Sequence, residues 1–143
     1  MPVLFDASIY ISGLRAGGGL SLLLQRWARE TPLWLSAVVL EELYAGAKPG
    51  DRRVVEKLER DFWKAGRILI PNLSDWANAG RILARIGQKY GYEQIGRARL
   101  TNDALIAVSA ARTGVRVITA NRRDFARLAE FCAVEWQMVA SQS

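Results

Sequence analysis

Short apolar runs alternate along this chain with longer stretches of helical period, and that alternation limits the folds open to it more than any other feature. Val3 to Phe5, Trp34 to Leu35, Ile68 to Ile70, Val115 to Ile118 and Ala133 to Trp136 read as strands. Between them lie helical patterns. Leu20 to Glu30 follows a break at Gly17, Gly18 and Gly19 and is stopped by Pro32; Ser36 caps a helix through Ala47; Asp51 to Lys64 carries Val54, Val55, Leu58 and Phe62 on one stripe. Further on, Ser74 caps a helix to about Tyr90, Thr101 caps one ending near Gly114, and a last helix covers Arg122 to Glu130. The stretch from Gly91 to Leu100 fits loop or short helix equally. Strands joined through helices pair in parallel, and the crossovers cover both faces. The expected architecture is a three-layer α/β/α sandwich on a central, mainly parallel sheet, one domain over 1–143. Ligands of such sheets bind beyond the carboxyl ends of the strands.

Composition removes several chemistries. The 143 residues include no histidine and one cysteine, so a serine–histidine triad, a histidine-rich zinc site and an internal disulfide are all excluded. No apolar run approaches the ~20 residues of a membrane span, and the start, MPVLFDAS, lacks the pattern of a signal peptide. A cytoplasmic protein without a membrane partner is expected. The net charge of +6 is uneven. From Arg81 to Arg127 ten basic residues face three acids, Glu93, Asp103 and Asp124, which is an electrostatic footprint suited to a polyanion. The five tryptophans read as core or interface residues, and Cys132 as a small buried apolar side chain.

The acids carry the chemistry. Asp6 follows the first strand, Asp103 falls in the first turn of the helix after Thr101, and Asp124 lies just beyond the fourth strand, so three carboxylates meet the ligand-binding rim. Glu42 joins them by helical geometry. It sits at the edge of an apolar arc centred among Val39, Leu43 and Ala47, while Glu41 points to the opposite side, to solvent. Four clustered carboxylates repel one another unless a cation neutralises them, and all-oxygen ligation selects a hard ion such as Mg2+ or Mn2+. Such a centre activates water and stabilises charge on a phosphoryl oxygen, which is the chemistry of phosphodiester hydrolysis. Plainer roles compete for three of the four. Asp6 suits a helix cap, Asp103 and Asp124 suit first-turn acids, and Asn121-x-x-Asp124 resembles a capping box. Glu42 has no basic residue one turn away in either direction. Ser8, Thr119 and Asn121 are turn or cap residues, or else they orient the carboxylates. Arg122 and Arg123, beside Asp124, are the candidate phosphate contacts.

The segments Val3-Leu-Phe-Asp6-Ala-Ser8, Ser36 to Gly46 around Glu42, Asn102-Asp103-Ala-Leu-Ile-Ala107 and Ile118-Thr119-Ala-Asn121-Arg-Arg-Asp124-Phe125 together resemble the successive motifs of PIN-domain ribonucleases, specifically the VapC-like toxins of toxin–antitoxin pairs. The resemblance runs from Val3 to about Phe131. It implies a parallel sheet with a quartet of acids, Asp6, Glu42, Asp103 and Asp124, binding Mg2+ or Mn2+ for RNA cleavage. Within that quartet we expect Asp6, Asp103 and Asp124 to hold the metal directly and Glu42 to orient the attacking water. It also implies a homodimer and inhibition by a small cognate antitoxin. Asn121 stands where some relatives carry another acid. Tyr44 and Trp63, off the apolar arcs of adjoining helices, are the candidates for an antitoxin-binding groove. Two rivals remain: a nucleic-acid-binding module of the same fold without turnover, and an aspartyl-phosphate phosphatase. The phosphatase motif wants a second Asp two residues after the first, where this chain has Ser8.

Overall fold

In the computed structural model, residues 1–17, 19–94 and 98–139 are described. The elements run β1 (Val3–Phe5), α1 (Ala7–Arg15), α2 (Gly19–Glu30), β2 (Leu33–Ser36), α3 (Ala37–Gly46), α4 (Arg52–Lys64), β3 (Ile68–Leu69), α5 (Leu73–Tyr90), α6 (Ala98–Thr113), β4 (Arg116–Thr119), α7 (Arg122–Leu128) and β5 (Trp136–Met138). A 3-10 turn at Tyr92–Gln94 precedes α6.

The sheet has the order β3-β2-β1-β4-β5, and every pairing is parallel. Strands buried on both faces show unbroken apolar runs instead of alternation. Accordingly Val3, Leu4 and Phe5 of the central strand are at most 3% exposed. Val3 pairs with Leu33 on one side and with Arg116 on the other, and Phe5 meets Ile118. Right-handed crossovers put α1 to α4 on one face, where α1 packs on α2 and α3, and α3 on α4. They put α5 to α7 on the other face, packed around α6. The expected three-layer sandwich is therefore present. No helix among the described residues is long and apolar enough to cross a membrane.

The chain leaves β1 toward β2 and β3 and later returns to β4 on the opposite side of β1. The carboxyl ends of β1 and β4 thus form the switch point of the sheet, the place where such folds open a crevice. Asp6 follows β1 directly, and its amide donates to the Ile118 carbonyl of β4 at 3.1 Å.

Several expected boundaries move. Helix α6 begins at Ala98, so Thr101 lies inside it instead of capping it, because Ala98 to Leu100 are good helix formers and Leu100, 5% exposed, anchors the added turn in the core. Asp103 consequently sits in the second turn, beyond the reach of a first-turn dipole effect. Asn72, not Ser74, caps α5. Its extended backbone and the acid three residues on complete a reciprocal capping box with Asp75. The last strand falls at Trp136–Met138 because the parallel register pairs Val117 with Trp136 and Thr119 with Met138. Helix α7 stops at Leu128, and β3 stops at Leu69, leaving Ile70 59% exposed. Of the glycine break, Gly18 lies outside the described residues. Gly13 matters more, since a Cβ there would come 3.0 Å from that of Leu20 where α1 meets α2. Trp27, Trp34 and Trp136 pack against the core as expected, Trp27 edge-on to Phe5, whereas Trp63 and Trp76 are exposed. Cys132 is half-buried, and burial pushes its thiol pKa up.

Candidate metal centre at the sheet switch point

Asp6 is 3% exposed and caps α1, accepting from the Ser8 amide at 3.1 Å through Oδ1. The Ser8 hydroxyl donates to the same oxygen, and the Thr119 hydroxyl at the end of β4 donates to Oδ2. Thr119 and Ser8 are themselves held. The Asn121 amide donates to Thr119 Oγ1 at 2.8 Å, and the Ala120 amide to Ser8 Oγ at 3.3 Å. The cap role and the placement of Asp6 at the crevice are thus one arrangement.

Asn121 caps α7, accepting from the Asp124 amide at 3.4 Å. Its Nδ2 donates to Asp124 Oδ2 at 2.8 Å and to Asp103 Oδ2 at 3.2 Å, so one side-chain amide bridges two carboxylates from different elements. Asp103 is 4% exposed. Burial, with Asp6, Glu42 and Asp124 nearby, pushes its pKa up to about 8, against the opposing charge of Arg99. Glu42 comes from α3 and is half-buried. Burial lifts its pKa to about 7; Asn102 and Arg99 pull it down, while Glu41 and Asp6 add to the rise. Its Oε1 and the Tyr10 hydroxyl are the two buried side-chain oxygens without a hydrogen-bond partner among the described residues. Asp6, Glu42 and Asp124 therefore all raise the proton affinity of Asp103.

Among the described residues no three acids converge closely enough to form a ready-made metal-binding group. The donor chemistry nevertheless fits a hard divalent cation. An orphaned buried carboxylate oxygen and an aspartate that keeps its proton toward pH 8 both mark missing positive charge, and every candidate ligand is oxygen. Asp6, Asp103 and Asp124, with Glu42 beside them, are the residues that could hold such an ion.

Two polar residues escaped the sequence reading. Asn102 Nδ2 donates to Glu41 Oε2 at 3.3 Å, tying α6 to α3 from the opposite layer. Arg99 acts electrostatically on both Asp103 and Glu42. The adjacency of Asn102 to Asp103 was the available signal; Arg99 was visible only as one charge among ten. Most of that basic stretch is engaged internally. Arg81 donates to Asn78, Arg112 pairs with Asp75, Lys89 with Glu130 and Arg116 with Glu135, while Arg85 and Arg127 lie over the rings of Phe131 and Tyr90. Arg97 lies outside the described residues. Arg122 and Arg123 are exposed on the first turn of α7.

Neither Tyr44 nor Trp63 lines the cavities between α2 and α4. The Tyr44 hydroxyl donates to Glu59 Oε1 at 2.5 Å, bridging α3 to α4. Trp63 is 70% exposed, and at 100° per residue it stands half a turn around α4 from Val54. Two cavities with largely apolar lining lie between α2 and α4. One of about 290 Å³ is lined by Leu20, Leu24, Val54 and Leu58, and a second of about 240 Å³ by Leu24, Leu33, Leu58 and Phe62.

Solved structures share this fold at low identity. VapBC2 from Rickettsia felis, bound to a DNA fragment from its promoter, is 18% identical with a TM-score of 0.68, covering 98% of this chain and 100% of the other. VapBC-1 from nontypeable Haemophilus influenzae is 24% identical with a TM-score of 0.64, covering 96% and 98%. VapBC-5 from Mycobacterium tuberculosis, a member of the VapBC family of toxin–antitoxin systems, is 24% identical with a TM-score of 0.57 over the same shares. No curated protein matches the chain. The PIN domain model, by contrast, matches residues 3–131, from the first residue of β1 past the end of α7, and so takes in both strands of the switch point and all four carboxylates. On that match, the chain belongs to the PIN domain family.

Proposed function

We propose that this protein is a Mg2+- or Mn2+-dependent endoribonuclease, the toxin of a toxin–antitoxin pair. One observation carries the reading: Asp6, Glu42 and Asp124, from three other segments, lie near enough to the buried Asp103 to raise its proton affinity, and a buried Glu42 oxygen is left unpartnered. Asp6, Asp103 and Asp124 would hold the metal. When bound, the ion supplies Lewis-acid stabilisation of charge developing on the phosphoryl oxygens and makes water a better nucleophile at neutral pH. Glu42, with a pKa lifted to about 7, takes a proton from the attacking water as that water's oxygen bonds to phosphorus and the P–O bond to ribose breaks, the leaving ribose oxygen taking its proton from solvent water. Ser8 and Thr119 fix the Asp6 carboxylate, and Asn121 fixes Asp103 against Asp124. Arg122 and Arg123 contact RNA phosphates beside Asp124. The setting is the cytoplasm.

The experiment is incubation of purified protein with single-stranded RNA in Mg2+, in Mn2+ and in excess chelator. Cleavage confined to the metal-containing reactions is expected. RNA binding without cleavage in either ion would select the rival reading, a binding module with the same fold.

The partners follow from unpartnered apolar surface. An amphipathic antitoxin helix seats along the α2–α4 cavities, with Tyr44 and Trp63 on the flank toward α3. Val54→Asp, at a 39%-exposed position lining the larger of the two cavities, should abolish antitoxin binding, and Tyr44 with Trp63 changed to polar residues should weaken it, RNA cleavage persisting in both; retained binding in a co-purification assay counts against this site. A second copy of the chain covers Ile70, Leu73 and Trp76, which are 59%, 84% and 56% exposed in one stretch from the end of β3 into α5. Leu73→Asp with Trp76→Glu should run as a monomer in analytical ultracentrifugation, and an unchanged dimer rejects that contact.

A further inference from the structure

Three arginines between Arg81 and Arg127, namely Arg99, Arg122 and Arg123, make no hydrogen bond, ion pair or ring contact among the described residues. Arg122 and Arg123 flank Asp124 in sequence; Arg99 flanks the acids only in space. On α6, successive residues turn by 100°, so Arg99 lies one turn before Asp103 and only 40° around the helix from it. Asn102 lies 60° to the other side of Arg99, and Asn102 touches Glu41 on α3. Arg99 therefore stands above the strip that joins α6 to α3, between the columns that carry Asp103 and the contact to the Glu41–Glu42 pair. Residues one turn apart have Cβ atoms ~5–6 Å from each other. The guanidinium is close enough to act through space on both Asp103 and Glu42, yet it remains exposed with its donors uncommitted.

We propose that Arg99 is a substrate-binding residue, its guanidinium engaging a backbone phosphate of RNA at the α3–α6 edge of the four-acid crevice. The inference rests on the ribonuclease reading above and extends it from Arg122 and Arg123 on α7 to Arg99 on α6. An arginine there does what lysine does less well, offering a planar fork to two phosphate oxygens. It also keeps a polyanion near carboxylates that would otherwise repel it.

The test uses the full chain in excess chelator, so that binding is read without cleavage. Anisotropy of a fluorescein-labelled single-stranded oligoribonucleotide is followed over a salt series for wild type, Arg99→Ala, Arg99→Lys and Arg29→Ala. Arg29 is exposed in the last turn of α2, just before β2 and hence toward the amino ends of the strands. Arg99→Ala is expected to weaken binding about tenfold at low salt, as the loss of one charge-assisted hydrogen bond does. The slope of log affinity against log salt should become shallower by ~0.7, one single-strand phosphate contact. Arg99→Lys should recover the slope with only part of the affinity, and Arg29→Ala should match wild type. An Arg99→Ala protein with wild-type affinity and slope overturns the proposal. Wild-type affinity and slope together with a lower melting temperature in chelator would assign Arg99 only the offsetting of the acids. Failure of wild type itself to bind the oligoribonucleotide overturns the ribonuclease reading along with it, which separates the two failures.

Discussion

Asp103→Asn is expected to lower RNA cleavage roughly 1000-fold or more, since a site that loses a metal ligand forfeits several kcal/mol of transition-state stabilisation at about 1.4 kcal/mol per tenfold. The same change should leave the metal-free protein more stable. Asp103 is 4% exposed, and its pKa is lifted to about 8 by burial and by Asp6, Glu42 and Asp124, so its ionised form opposes folding. For an acid whose folded pKa exceeds its unfolded value, the folded state binds the proton more tightly. Stability is then greatest below the unfolded value of 3.8 and declines as the pH rises through about 8. Asparagine removes that decline and keeps an oxygen to accept from Asn121. Thermal melts in chelator from pH 4 to 9 check this. The wild-type melting temperature should fall with rising pH, and the variant should fall less and sit several degrees higher near pH 8. A variant that melts lower than wild type at every pH assigns Asp103 a structural role instead. Asp6→Asn separates the two effects. It should abolish cleavage equally but cost about 1 kcal/mol of stability, because an amide keeps one acceptor oxygen for Ser8 and loses the one that accepts from the Thr119 hydroxyl.

What the sequence made legible was whatever depends on neighbours within a turn or two. The unbroken apolar run Val3 to Phe5 identified a strand buried on both faces, and the Val54–Val55–Leu58–Phe62 stripe identified α4 with nearly its observed ends. Asp6 and Asp124 were placed at the rim by following their strands to the carboxyl end, Asp103 by its position near the start of a helix, and Glu42 by its angle on α3. Cap positions were less legible, since a capping residue is chosen by backbone geometry as much as by type. Thr101 and Ser74 are good cap residues that sit inside helices, whereas Asn72 has the extended backbone a cap needs and Asp75 three residues on to answer it. Pairings across tens of residues were not legible at all. The count of ten basic residues suggested a broad polyanion footprint, yet Arg112 is held by Asp75, 37 residues away, and Lys89 by Glu130, 41 residues away. The apolar channel between α2 and α4 was missed for the same reason. Its lining joins Gly13, where a Cβ would crowd Leu20, to Leu20 and Leu24 of α2 and to Val54 and Leu58 of α4.

Arg112→Ala should be the most destabilising of these single changes, at about 3–5 kcal/mol, the usual cost of stranding one member of a buried ion pair. Asp75 is 1% exposed. The Arg112 guanidinium reaches it through Nε at 2.9 and 3.1 Å and through Nη2 at 2.8 Å, and the Asn72 amide adds a fourth donor contact at 3.0 Å. Burial pushes the Asp75 carboxyl up, but Arg112 and Asn72 together outweigh it and hold it below the ordinary value of 3.8. An acid with a depressed folded pKa contributes stability that is fully present above its unfolded value and is lost as the pH falls through the folded one. Wild type should therefore lose stability in acid below about pH 4, and Arg112→Ala should have lost that contribution already at neutral pH. Asp75→Asn should cost less, about 1–2 kcal/mol. It keeps an acceptor for the Asn72 amide, and it leaves unpaired an arginine side chain that is 38% exposed and can be hydrated. Joining the two changes should cost clearly less than their sum, since Arg112→Ala strands a charge only while Asp75 is ionised. Chemical denaturation of the two single variants and the double variant measures all three numbers, and strict additivity would remove the ion pair as the cause. Cleavage per folded molecule should be unaffected in each. Arg112 is nine residues beyond Asp103 on α6, some ~13 Å along the helix axis, so the pair secures α5 against α6 at the end away from the acids.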